Sequence, residues 1–397
     1  MMNLETALSA ALPKTSGLRH RLHAIPELSD QEHQTAALIR EELDQMGLGF
    51  TQGVPEAPTA TIAIVGDPAR PCIAFRADID ALPIEEKTGL EYASRHLGRM
   101  HACGHDGHTA ILLGCASILK GWADDLPVCV KLIWQPAEEE GGGALRLVKA
   151  GVLDGRLGPP VDAIFGLHGW PALPLGAVST RPGPLMASTD RFAATFVGRR
   201  CHGAFPHLGR DPIVAACEAV VNLQQCVSRD LDPTEPGLVT VGVVQGGVAV
   251  NIIPETACIS GTVRTLTHPA RHMLRESIQR RCAGIAAAQG CRLQLDWTEG
   301  YPPLINDPAM AGYVAATARA ALGADRFIPA DRPSMGGEDF AYYLASTAGC
   351  FFQLGICGAG QESSRSLHTD DFDFPDAALA VGMRMFLSLA LNYPGQP

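Results

Sequence analysis

From residue 61 to residue 169 the sequence alternates short β-rich runs with longer helical patterns: TIAIVG (61 to 66), CIAFRAD (72 to 78), a helix near 107 to 120, VCVKLIW (128 to 134), a helix near 142 to 150 and VDAIFGLHG (161 to 169). Such alternation predicts an α/β domain, a sheet covered by helices on both faces. Ligands in sheets of this kind collect at the carboxyl ends of the strands. RAD, QPAEEE and LHG each stand at that end of an apolar run, so three polar clusters distant in sequence are expected on one rim. Ahead of them, an amphipathic stretch from about Asp30 predicts a helix that Gly47 ends.

The alternation breaks at TRPGPLMAST (180 to 189), a turn-rich stretch that reads as a domain boundary. Beyond it a strand (191 to 198), a helix (about 211 to 228), strands near 238 to 245 and 256 to 265, a helix (269 to 288) and a strand (291 to 297) are expected. This βαββαβ order is that of a ferredoxin-like layer. The α/β material then returns with a helix near 308 to 322, a strand GCFFQLG (349 to 355) and a C-terminal helix near 375 to 391. The expected organisation is a discontinuous α/β domain, residues 1 to 185 and 298 to 397, with residues 186 to 297 inserted into it.

At 397 residues the chain has room for two domains of ordinary size. It has no apolar run of about 18 residues that could span a bilayer. A formal net charge of −11 with no basic cluster argues against nucleic acid and anionic membranes as partners. The first residues lack a basic opening and carry Glu5, so they do not read as a secretory signal, and a cytoplasmic location is expected. The 12 cysteines are scattered, several inside apolar runs as at Cys72 and Cys129, which fits reduced, buried thiols.

Only Cys103 sits among histidines. MHACGHDGHTA puts Cys103, His105, Asp106 and His108 just before a predicted helix, and thiolate, imidazole and carboxylate are the side chains that bind borderline divalent metals. A structural finger would need a second paired cluster, which is missing. A loop capped by Asp106 leaves the cysteine and histidines unexplained, so a catalytic metal site is the better reading. QPAEEEGGGA offers Glu138, Glu139 and Glu140 in succession. Adjacent side chains point apart, so one glutamate can bind metal while its neighbour meets the water; the plain alternative is a solvated acidic helix start. His168 ends one β-run and His368 lies in LHTDDFDF, and both gain weight from this company. His20, His23, His33, His96, His268 and His272 read as structural.

RADIDALPIEE, MHACGHDGHTA, QPAEEEGGGA, GLHGWP, HGAFPHLGRDPI, VNIIPETACISGTVR, MGGEDFAYY and LHTDDFDF resemble, in this order, the aminoacylase and carboxypeptidase family of two-metal amidohydrolases. The closest branch is similar to hippurate hydrolase and the plant hydrolases of indole-acetyl amino acids. The resemblance implies a zinc-exopeptidase-like catalytic domain with a mixed sheet, and an inserted lid and dimerisation domain. It implies two divalent ions per subunit, Mn²⁺, Zn²⁺, Co²⁺ or Ni²⁺. The implied ligands are Cys103, His105, Glu139, His168 and His368, with Cys103 bridging. Glu138 takes the place of the general base, and Asp78 that of the carboxylate orienting a ligand from behind, with Asp80 close by. His202 matches a histidine that steadies the oxyanion in the partner subunit, with His207 the weaker candidate, so a homodimer is implied. Asn251 and Arg264 match residues that contact the substrate, and a guanidinium suits its free carboxylate.

The implied reaction is hydrolysis of the amide bond of a small N-acyl amino acid, hippurate-like or N-acetyl, by metal-activated water. A dipeptidase or carboxypeptidase of the same family is the alternative within hydrolases, and a catalytically idle metal binder the alternative outside them. Glu138 beside a full ligand set argues against idleness. Glu140, Arg199, Arg200 and Cys201 depart from the pattern without removing a ligand or the base.

Overall fold

Strands β3 (Cys72–Asp78) and β4 (Cys129–Gln135) are buried along their whole length. That is what near-continuous apolar runs produce when helices cover both faces of a sheet. They sit inside a seven-stranded sheet with β1 (Phe50–Val54), β2 (Ala57–Val65), β5 (Ala163–Pro174), β6 (Val178–Ser179) and β7 (Ala348–Cys357), in the order β1-β2-β4-β3-β5-β7-β6. Neighbours β4, β3, β5 and β7 run parallel, while β1, β2 and β6 pair antiparallel, so the sheet is mixed. The computed structural model describes residues 3 to 358 and 365 to 395.

The longer helices of this unit are α1 (Leu4–His23), α2 (His33–Gln45), α3 (His105–Gly121), α4 (Gly143–Ala150), α5 (Pro308–Leu322) and α6 (Ala377–Leu391). Helix α3 is apolar from Ala110 to Leu119 apart from Ser117 and is almost wholly buried, as a helix enclosed by other elements must be. Gly107, in its first turn, is required by packing: a Cβ there would stand 2.5 Å from the Phe374 ring, so glycine lets the segment after His368 press onto α3. Helix α1 is not legible in the sequence, because Pro13 lies inside it and reads as a break. Helix α2 starts at His33 rather than Asp30, since Asp30 is left-handed (φ 65°) and cannot join a right-handed helix.

The chain forms two compact units, one of Met1–Gly183, Asn306–Asp331 and Asp339–Pro397, and another of Pro184–Ile305 with Arg332–Glu338. The second unit therefore also takes residues 332 to 338, part of the MGGED stretch. It holds a four-stranded antiparallel sheet in the order Gly237–Gly246, Thr256–Thr265, Asp190–Val197, Arg292–Thr298. Alternation in Asp190–Val197 buries one face, where Phe192, Ala194 and Phe196 meet Leu223 of helix Pro212–Gln225 and Leu274 and Ile278 of helix His268–Ala288. This is the ferredoxin-like layer that the element order predicts. All 12 cysteines are free; most are buried, but Cys217 is exposed, against the expectation of core thiols. No helix among the described residues is long and apolar enough to cross a membrane.

Candidate metal centre

Two strand ends, the middle of a third strand and one helix start supply the site, β5 running on past His168 to Pro174 rather than ending at residue 169 as the sequence predicts. Strand β3 ends at Asp78, with Asp80 just beyond, and α3 opens at His105 behind the left-handed Gly104. After β4 the chain passes through Ala137, at φ 54°, and presents Glu138 buried, Glu139 half-buried and Glu140 exposed. His168 lies on β5. His368, at φ 63°, is brought in by its N–H, which donates to the Ala102 carbonyl at 2.8 Å.

Cys103 Sγ is 3.3 Å from His168 Nε2 and 3.3 Å from His368 Nε2. Glu139 Oε1 is 3.3 Å from His368 Nε2 and 4.0 Å from His105 Nε2. Two triads result, Cys103/His105/His168 and Cys103/Glu139/His368, each with its donor atoms within 4.8 Å of one another, and Cys103 belongs to both. A third group, His105/Glu138/Glu139, joins the first histidine to both glutamates.

The donor chemistry fits divalent cations. His105 Nδ1 lies 2.9 Å from the Asp80 main-chain oxygen and His168 Nδ1 lies 2.8 Å from that of Gly169, so each ring donates its Nδ1 proton backwards and turns a lone pair on Nε2 to the site. His105 Nε2 and Glu139 Oε1 are buried without a hydrogen-bond partner. Buried polar atoms are ordinarily paired, and these two are the atoms a cation would take. The electrostatics agree. Burial, then Glu139, Glu138 and Asp78, push the Cys103 thiol well up. Burial pulls the His105 imidazolium down, but Asp78, Asp80 and Glu139 outweigh it and raise the ring to about 10. Without a metal the ring holds a second proton on Nε2, and a bound cation would take that proton's place. His168, by contrast, is lowered to about 3 by burial and by His108, and stays neutral.

Asp78, His105 and His108 also cluster, but two members of that group, Asp78 and His108, are already satisfied. His108 Nδ1 is 2.7 Å from Asp78 Oδ1, while its Nε2 accepts the Gly169 N–H at 2.9 Å. Arg76 Nη1 donates to Asp78 Oδ2 at 2.8 Å, putting a permanent cation where a metal would compete. Asp78 Oδ2 is 3.6 Å from His105 Nε2, while the Asp80 carbonyl stands behind His105; the ring that Asp78 orients is His108, which is not among the implied ligands. Arg76 also donates to Gln135 Oε1 at 2.8 Å and to Asp339 Oδ1 at 2.9 Å. The Asp339 N–H in turn reaches Glu138 Oε1 at 3.3 Å. Arg76, Gln135 and Asp339 were missed in the sequence, although an arginine inside the apolar run CIAFRAD signals a buried cation in need of partners.

The remaining sequence candidates lie in the second unit. His202 and Asn251 are exposed at a short pairing of Cys201–His202 with Ile252–Ile253. His202 Nδ1 accepts the Ala204 N–H at 3.0 Å, which leaves the ring proton on Nε2. Exposed His207 follows in a 3₁₀ turn. Arg264 is half-buried on strand Thr256–Thr265, and burial together with Arg191, a like charge, depresses its pKa.

Comparison with known proteins gives one consistent answer. The chain is 44% identical to the N-acetyl-L-cysteine deacetylase of Bacillus subtilis over 353 residues, 88% of this chain and 82% of that protein. It is 38% identical to the IAA-amino acid hydrolase ILR1-like 4 of Arabidopsis thaliana over 381 residues, 95% of this chain and 85% of that one. The solved structure of the Bacillus subtilis YXEP protein, described as a dinuclear metal binding peptidase, matches with a TM-score of 0.83 at 37% identity, covering 96% of this chain and 98% of the other. The sequence profile of peptidase family M20/M25/M40 matches residues 74 to 392, and the chain belongs to that family.

Proposed function

We propose that the protein hydrolyses the amide bond of N-acyl amino acids, releasing a carboxylic acid and a free amino acid, with two divalent ions held by Cys103, His105, Glu139, His168 and His368. The observation that carries this reading is the pair of donor triads sharing Cys103, with Glu138 beside them. Relatives named as a deacetylase of N-acetyl-L-cysteine and a hydrolase of IAA-amino acids support it. Cysteine, histidine and glutamate together accept Zn²⁺, Mn²⁺, Co²⁺ or Ni²⁺.

The ions, when bound, polarise the amide carbonyl and acidify the attacking water. Glu138, steadied by the Asp339 N–H at 3.3 Å, takes a proton from the water and delivers it to the departing nitrogen. An amine leaves an amide poorly until it is protonated, so the second transfer matters as much as the first. Asp78 acts through His108, which it keeps in the tautomer that accepts the Gly169 N–H beside His168.

In the second unit His202 offers an Nε2–H to the developing oxyanion, and Asn251 and Arg264 take the substrate carboxylate. The like-charged neighbour of Arg264 supports that role, since an anion relieves the repulsion. A homodimer belongs to the same reading. Its support is the edge strand Gly237–Gly246, which exposes Val243 and Val244 and carries neither charge nor proline. Exposed Val214 and Val221 on helix Pro212–Gln225 add to it. The free thiols support a reducing, cytoplasmic setting.

Amino-acid release from N-acetyl, N-benzoyl and indole-acetyl amino acids by metal-reconstituted protein tests the reading. Glu138→Gln is expected to lower kcat by about 10²- to 10⁴-fold while keeping its metal, and chelation to abolish turnover. A panel that stays silent with metal bound would return the protein to the class of metal binders without turnover.

A further inference from the structure

Ser29 to Glu32 form an irregular segment ahead of α2, far in sequence from every residue given a role above. Glu32 is fully buried (0% exposed). Its Oε1 accepts the Ala137 N–H at 2.9 Å and the Asp30 N–H at 3.0 Å, and its Oε2 accepts the Thr59 hydroxyl at 2.9 Å. Ala137 has φ 54°, a left-handed backbone that side-chain-bearing residues rarely adopt, and Glu138 and Glu139 follow it directly. On the far side of Glu138, the Glu139 N–H donates to Asp80 Oδ2 at 3.0 Å, and the same oxygen accepts the Ser29 hydroxyl at 2.7 Å. The turn bearing both glutamates is thus pinned immediately before and immediately after Glu138, and both pins lead back to Ser29 and Glu32.

We infer that Glu32 is a positioning residue of the reaction, holding the left-handed turn at Ala137 so that Glu138 and Glu139 point where base and ligand must stand. The inference rests on the roles proposed for those two glutamates. The Ala137 carbonyl accepts the Gly143 N–H at 3.0 Å, but the Ala137 and Glu139 N–H groups bond to side chains rather than to a helix or strand, so their direction comes from those outside acceptors. A side chain with two acceptor oxygens meets the requirement: one oxygen joins Ala137 to Asp30, and the other fixes the carboxyl plane through Thr59. Burial and nearby Asp80 push the Glu32 acid up to about 7, yet both protonation forms present Oε1 to the two N–H groups. The clamp works through geometry rather than charge.

The test compares Glu32→Gln, Glu32→Leu, Thr59→Val and Ser29→Ala in the full chain, reading kcat, KM and, separately from activity, Co²⁺ affinity by absorption titration. Glutamine keeps an oxygen for Ala137 and Asp30 and offers its amide to Thr59, so it is expected to retain kcat within about threefold and bind Co²⁺ normally. Leucine removes the acceptor. Its kcat should fall about 10- to 100-fold at nearly constant KM, and Co²⁺ affinity should fall about 10-fold or more because Glu139 is displaced. Ser29→Ala loosens only the second pin, which reaches Glu139 through Asp80, and should show the same pattern at about severalfold size. If the leucine variant does not fold, Thr59→Val, which removes the hydroxyl that fixes the Glu32 carboxyl plane, carries the test at about the same size. Folded Glu32→Leu protein, or Thr59→Val in its place, with wild-type kcat and Co²⁺ affinity would overturn the inference, as would a glutamine variant as impaired as leucine. If wild-type protein turns over no N-acyl amino acid, the proposed function fails, while the Co²⁺ titrations still decide the clamp.

Discussion

In the first unit His105 and His168 each commit Nδ1 to a main-chain carbonyl, and His108 commits both ring nitrogens. In the second unit His202 and Asn251 are exposed, and the histidine ring takes a single hydrogen bond, from Ala204. The difference has a physical origin. A rim built where buried parallel strands end is surrounded by low-dielectric core, so each polar atom there needs a partner, and partners fix direction. A turn on an exposed antiparallel layer has water available and needs none. The first unit therefore carries its geometry built in, whereas residues of the second acquire theirs from whatever binds against them.

Cys103→Ala probes the built-in geometry most severely. Because both donor triads share Cys103, its loss should remove both ions together and abolish turnover, seen as metal content per chain after gel filtration. Retention of one full equivalent would show that the triads do not share the thiol. His202→Ala should leave metal content at the wild-type value.

Arg76→Met sharpens the same contrast through stability. It leaves Asp78 and Asp339 buried without their cation, which should cost about 3–5 kcal/mol in urea unfolding of metal-free protein. Arg264→Met, which removes a half-buried arginine from beside Arg191, should stay within about 0.5 kcal/mol. Equal losses at both positions would erase the distinction between the units.

Much of this was legible because some physical demands act locally. Periodicity marked β3, β4, α3 and the second-unit layer, since burial imposes a pattern on consecutive residues. Cys103 and His105 stood out because few roles other than metal binding explain those residue types together, whereas Glu139 was told apart from Glu138 and Glu140 only by the family resemblance. What stayed hidden was long-range. Arg76 meets Asp339 across 263 positions and Glu32 meets Ala137 across 105, and such hydrogen bonds leave no trace in neighbouring sequence. Asp80 was only half anticipated, because it holds His105 Nδ1 with its main-chain oxygen, which any residue type supplies. Helix α1 escaped for the opposite reason: Pro13 is a strong local signal that tertiary packing of Leu8, Leu18 and Leu22 overrides.

The buried His23–Asp106 pair, with Nδ1 2.9 Å from the carboxylate, makes a pH-dependent version of the contrast. Burial pulls His23 down, but Asp106 and Glu86 more than compensate and raise it from 6.5 to about 9. The folded state then holds a proton that the unfolded chain releases first. The resulting stability is fully present below pH 6.5 and lost as pH rises through about 9, a span worth on the order of 3 kcal/mol. Unfolding of metal-free wild type between those limits should show the decline, to which His105, raised to about 10, adds in the same direction, and His23→Gln should make it shallower. A wild-type curve already flat would mean that the pair does not hold its extra proton.

The smallest effect belongs to the exposed layer. Val244 lies 55% exposed on the edge strand Gly237–Gly246, so Val244→Lys should change unfolding of the chain itself by no more than about 0.5 kcal/mol. Lysine on an edge strand is nevertheless one of the substitutions that best prevents pairing with another chain, because two copies would bring like charges together. Sedimentation should therefore show wild-type dimer shifting toward monomer in the variant, while its metal content stays unchanged. Monomeric wild type would remove the edge strand as a docking surface and leave His202 without a neighbouring chain to serve. An unshifted dimer would move the interface to the helix face carrying Val214 and Val221, which Val221→Glu would then disrupt.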